Sequence, residues 1–192
     1  MIRRIAYVLI LLPLLGACQA MNIDDFEGTT PQLVLEDYFA GETKAWGIFE
    51  DRFGNLRREF KVDIAGSWDG RVLTMTEDFV YADGETDRRV WRIEKLGDGR
   101  YRGRADDVIG TAEGTVKGKA LTWSYDIVLK VGGSDLKVRF TDWLFLQDDE
   151  VMINRASVTK FGIEIGTVTL FFRKPITQAL SVPSDPGGKQ AA

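Results

Sequence analysis

The sequence predicts an all-β chain, an antiparallel up-and-down barrel of lipocalin or calycin type with one short N-terminal helix; a β-sandwich is the alternative. Three observations lead there. From Trp46 to Arg173 apolar residues recur with period two, as in strands that have one buried and one wet face. Turn chemistry interrupts the pattern at Asp69-Gly70, Asp83-Gly84, Gly97-Asp98-Gly99, Lys117-Gly118, Gly132-Gly133 and Asp148-Asp149. The third is length: a meander of roughly ten strands normally removes its exposed edges by closing on itself.

The chain opens with Arg3 and Arg4, an apolar run from Ile5 to Leu15, and then Leu15-Gly16-Ala17-Cys18. A positive n-region, a short h-region and small residues before a cleavage point describe a secretory signal peptide, too short to span a bilayer. The cysteine after the small pair makes it a lipobox, so residues 1–17 are expected to leave and Cys18 to carry the lipid. Gln19 after that cysteine favours sorting to the outer membrane, where the chain would face the periplasm. Residues 18–29 form a polar, lipidated leader, and the membrane is reached through acyl chains, two or more of which anchor stably.

The domain proper runs from 30 to 174. Thr30-Pro31 followed by Leu33, Leu35, Tyr38 and Phe39, with Gly41 beyond, predicts a short helix packed as a plug on one end of the sheet. Strands follow at 45–52, 56–66, 71–81, 88–95, 99–106, 111–117, 120–131, 135–146, 150–159 and 163–173. Residues 175–192 hold Pro175, Pro183, Pro186 and Gly187-Gly188 and too little apolar content to pack, so a disordered tail is expected.

Composition narrows the function. There is no histidine, and the single cysteine is the lipidation site, which removes His bases, Cys nucleophiles, disulfides and ordinary zinc or haem ligation. Catalysis would be left to carboxylates, Lys, Arg, Tyr or Ser. No metal or other cofactor is implied. Without Arg3 and Arg4 the basic count falls from 25 to 23 against 29 acids, a balance of −6. That is no footprint for nucleic acid.

Charge inside apolar rows marks the candidate site. Glu77 lies between Met75 and Phe79, and Asp142 between Phe140 and Leu144, both on the side that should face inward. Arg92 shares a strand with Trp91, and Arg155 follows Asn154. A lone buried charge costs several kcal/mol, so such groups should be paired or line water. One reading is a polar anchor in a barrel cavity, where Arg92 or Arg155 holds the head of a lipid ligand and Trp91, Trp123 and Tyr125 line its walls. The other is an ion-pair network in a filled core. Asp106-Asp107, with Glu77 and Asp142, offers an acid–base pair or calcium ligands; a turn is the plain alternative. Trp46, Trp68 and Trp143 complete the aromatic set, as cavity lining or core filling.

Several segments together carry a family likeness. They are Ala45-Trp46-Gly47-Ile48-Phe49 with Asp51-Arg52 and Gly54; Glu77-Asp78-Phe79 with Tyr81; Asp83-Gly84-Glu85 with Arg89 and Trp91; Gly103 to Val108 with Gly110, Ala112 and Gly114; Asp142-Trp143; Asn154-Arg155-Ala156; and Lys160-Phe161-Gly162. Over residues 30–174 this set resembles the proteobacterial lipoproteins of the domain of unknown function 3833 family. Thr141 departs from the two acids that often precede the tryptophan in that pattern. The resemblance implies an exported lipoprotein with no established activity. Members are often encoded near enzymes of the cyclopropane fatty acid type, which implies a lipid-linked role.

Overall fold

Ten antiparallel strands close into a ring. The computed structural model describes residues 21–131 and 133–175, so the expected signal peptide, Cys18 and most of the expected tail lie outside the described residues. In chain order the strands are β1 (Gly41–Asp51), β2 (Leu56–Trp68), β3 (Val72–Tyr81), β4 (Thr86–Gly97) and β5 (Arg100–Arg104). Then come β6 (Val108–Lys117), β7 (Ala120–Val131), β8 (Ser134–Leu146), β9 (Val151–Lys160) and β10 (Ile163–Arg173). Each strand pairs with its neighbours in sequence, and β1 also pairs with β10, from Lys44 opposite Arg173 to Asp51 opposite Gly166. Closure excludes the sandwich. All ten expected strands are present, with ends that differ by at most four residues.

The two ends of the barrel differ. Helix α1 (Leu35–Phe39) plugs the end that holds the turns after β2, β4, β6 and β8. Leu33, Leu35, Tyr38 and Phe39 are buried there. The Tyr38 hydroxyl donates to the Glu150 carbonyl at 3.0 Å, and Phe39 sets its edge on Phe172 at 5.7 Å. The helix also carries Glu36 into the barrel, where Lys95 and the Tyr101 hydroxyl, the latter at 2.8 Å, both donate to it. Burial alone would raise the Glu36 carboxyl, but these partners hold it below its ordinary value. Among the described residues no helix covers the opposite end.

The helix is shorter than its punctuation implies. Thr30-Pro31 is a cis peptide outside the helix, and the N-cap is Val34, which makes no side-chain capping bond. Leu33 instead donates its N–H to the Gly118 carbonyl at 2.8 Å. Tertiary contact with the β6–β7 turn therefore keeps this stretch extended. Upstream, a 3-10 turn (Ile23–Phe26) lies on the outer wall, with Phe26 6.0 Å from Trp143 and 5.6 Å from Phe145. Part of the expected polar leader is thus docked on the barrel.

The plugged half is filled by matching large residues to small ones. Trp123 lies across Gly103 and Gly114, where an added Cβ would meet its ring at 2.5 Å and 2.0 Å. Gly66 lets β2 pass beneath the end of α1, since a Cβ there would stand 1.8 Å from the Phe39 carbonyl oxygen. Gly114→Ala should therefore destabilise the fold by about 1–3 kcal/mol through overpacking. Urea unfolding measures this, and an unchanged midpoint would contradict the seating of Trp123.

Candidate functional site

Strand parity decides what reaches the interior. On β4 Trp91 and Ile93 are buried and Arg92 between them is exposed. On β9 Asn154 and Ala156 are buried and Arg155 between them is exposed. Arg92 and Arg155 therefore stand on the outer wall and cannot hold a ligand inside, contrary to the sequence reading. The reason is the period of two: a residue adjacent to a buried one points the other way. By the same rule Arg89, two positions before Trp91, points in. That spacing was the available signal for it.

Arg89 organises a cluster in the unplugged half. Its Nε donates to the two Asp107 oxygens at 3.2 and 3.0 Å, and its Nη2 to Oδ2 at 2.7 Å. Glu77 stands opposite Arg89 across the β3–β4 ladder. Burial pushes the Glu77 carboxyl up to about 7; Arg89 opposes this, Asp107 adds to it, and a hydrogen bond from the Trp91 side chain opposes it. Asp142, 8% exposed, is also pushed up to about 7 by burial. Hydrogen bonds from Tyr125 and Asn154 and the charge of Arg89 work against that rise, and Glu77 reinforces it. The Tyr125 hydroxyl is raised well above its usual value, chiefly by burial. The aromatic frame is tight: Trp91 meets Tyr125 edge-on at 5.3 Å and Trp123 at 5.9 Å, and Tyr125 stacks on Phe140 at 5.5 Å.

Of the residues proposed from sequence, Glu77, Asp142, Trp91, Trp123 and Tyr125 meet here. Trp68 also faces inward, whereas Trp46 and Trp143 are on the outer wall. Asp106-Asp107 divides, with Asp106 exposed and Asp107 on Arg89. Among the described residues no three acids converge in a way that could hold a metal ion. Arg89 and Asn154 are the additions that the fold makes, and Asp107 enters as the partner of Arg89.

The cluster lies between a filled half and a less buried half of the barrel interior. Toward the plug, inward side chains such as Leu73, Met75, Ile93 and Leu121 are buried. Toward the open end Phe49, Phe60, Phe79, Tyr81, Leu136 and Phe140 face inward yet remain only half-buried. Arg89 is ion-paired with Asp107, and Glu77 and Asp142 feel its charge from farther away. With Glu77 and Asp142 titrating near neutrality, the cluster sheds excess negative charge by taking up protons. It can then present a carboxyl donor, a carboxylate acceptor and a guanidinium side by side.

A family model for a protein of unknown function, DUF3833, matches residues 12–174. The chain belongs to the DUF3833 family. No curated protein matches this DUF3833 chain. Among solved structures it is similar to the S-type phycobiliprotein lyase CPES from Guillardia theta, at TM-score 0.52 and 12% identity, over 74% of this chain and 94% of that one. At that identity the likeness concerns the fold alone, and it agrees with the lipocalin-type barrel.

The raised carboxyls set a pH dependence. Their ordinary values are 4.5 for Glu77 and 3.8 for Asp142, and both stand at about 7 in the fold. Between those values the folded chain binds more protons than the unfolded chain, so this contribution is complete below the ordinary values and is lost as pH rises through about 7. Urea unfolding from acidic to mildly alkaline pH should show the decline. Glu77→Gln or Asp142→Asn should flatten it and raise stability on the alkaline side; an unchanged slope in both would mean that neither acid is held protonated.

Proposed function

We propose that this DUF3833 chain is an outer-membrane-anchored lipoprotein, facing the periplasm, that binds a hydrophobic molecule in the unplugged half of its barrel. A fatty acyl or phospholipid molecule fits best. One observation carries the reading: a charged cluster, rich in acid, lies beneath half-exposed aromatic walls at the unplugged end. A purely structural ion pair would be matched one to one, as Glu36 is with Lys95. Glu77 and Asp142, without a cation of their own, are costly unless protons or a ligand complete them. An acyl chain would lie against Phe60, Phe79 and Phe140. Its head would meet Glu77, Asp142 and Arg89, a setting that favours hydroxyl, ammonium or protonated carboxyl groups over a doubly charged phosphate.

The packing of Trp123 on Gly103 and Gly114 favours a second reading, a structural or assembly lipoprotein that acts through its surface. Native mass spectrometry of the chain purified from its own membranes, followed by lipid extraction, separates the two. A bound acyl lipid is expected, reduced severalfold by Glu77→Gln and Arg89→Ala and unchanged by Arg92→Ala or Arg155→Ala. A ligand-free mass with no uptake of added fatty acid would favour the structural reading.

A further inference from the structure

We propose that the unplugged end of the barrel docks on a lipid bilayer with anionic headgroups, through the turn after β1 and the turn after β9. This goes beyond the carrier reading and stands on separate observations. The four most exposed large hydrophobic side chains of the described residues lie together here: Phe161 at 93%, Phe53 at 74%, then Ile163 and Leu56. The two turns are neighbours, because β1 pairs with β10 and the Arg52 N–H donates to the Ile165 carbonyl at 3.0 Å.

The display of Phe161 is conformationally costly. Its φ is 51°, in the left-handed region that bulky residues avoid, and Gly162 follows at 78°. A two-residue turn of this kind ordinarily places Asn or Asp where Phe161 stands. An apolar ring is therefore held in solvent in a backbone conformation that a small polar residue would adopt more readily.

Each ring has a cation beside it. The Arg52 guanidinium lies 4.8 Å from the Phe53 ring centre, and the Lys160 ammonium 5.5 Å from that of Phe161. Neither Arg52 nor Lys160 forms an ion pair among the described residues. Of the nearby acids, Asp51 is engaged by Arg57 at 2.6 Å and by Asn55, which leaves Glu50 and Glu164. Rings that enter the acyl boundary while Lys and Arg stay among the headgroups are the chemistry of a membrane interface. Separate, protruding rings suit a deformable bilayer better than the flat, closely packed core of a protein interface. The location also matters, since the patch rims the unplugged end of the barrel.

The test mixes the full chain with phosphatidylethanolamine–phosphatidylglycerol vesicles. A photoreactive benzoylphenylalanine replaces Phe161, Phe53 or, as an apolar control on the outer wall toward the plugged end, Ile153. Irradiation should give lipid adducts at 161 and 53 and none at 153. Yields should fall severalfold without phosphatidylglycerol or in high salt. The double variant Phe53→Ser with Phe161→Ser should keep its circular dichroism yet lose transfer of acyl lipid between vesicles. No lipid adduct at 161, equal adducts at 153, or adducts only to protein would overturn the proposal. Lipid adducts on a chain whose barrel binds no acyl lipid would leave docking standing and remove the carrier reading. A loaded barrel without adducts would do the reverse.

Discussion

Closure of the sheet between β1 and β10 is the constraint on which the rest depends. The eight residue pairs from Lys44–Arg173 to Asp51–Gly166 join the two ends of the meander. They give every strand two hydrogen-bonded neighbours and an unambiguous inner face. Once that ring is closed, a one-residue slip anywhere would turn a buried row to solvent. Arg89, Trp91 and Ile93 face in together for that reason, and Arg92 faces out.

The barrel then treats its inward-facing acids in two ways. At the plugged end Glu36 has a dedicated ammonium and a phenol hydroxyl, and its carboxyl is held low. This site fastens α1 to the wall. In the unplugged half the guanidinium nearest Glu77 and Asp142 is engaged by Asp107 and reaches those two acids only through its charge, and burial holds both carboxyls high. The first arrangement is complete in itself. The second leaves two acids without a cation of their own below a half-exposed aromatic wall, and this difference, more than the barrel fold, singles out the unplugged half as the candidate site.

Much of the fold was legible in the sequence. Alternation and turn chemistry locate ten strands because both are local properties, and a closed meander follows from the need to remove edges. The helix start was misread, since Thr30 and Pro31 look like a cap while the Leu33 N–H is taken by the β6–β7 turn. Glu77, Asp142, Trp91, Trp123 and Tyr125 could be read as inward from their apolar rows. Arg92 and Arg155 were misread by proximity to Trp91 and Asn154, although period two assigns the opposite face.

The sequence by itself determined the class of fold, the strand order and the inner face of most strands. It also excluded histidine and thiol chemistry in the domain, because those are matters of composition and short-range pattern. Only the tertiary structure decided that Arg89 and Asp107 join Glu77 and Asp142, that Asn154 supports Asp142, and that one end is plugged. Those contacts link β3, β4, β7, β8, β9 and the segment before β6, so they depend on strand register around a closed ring, and no local periodicity encodes that register.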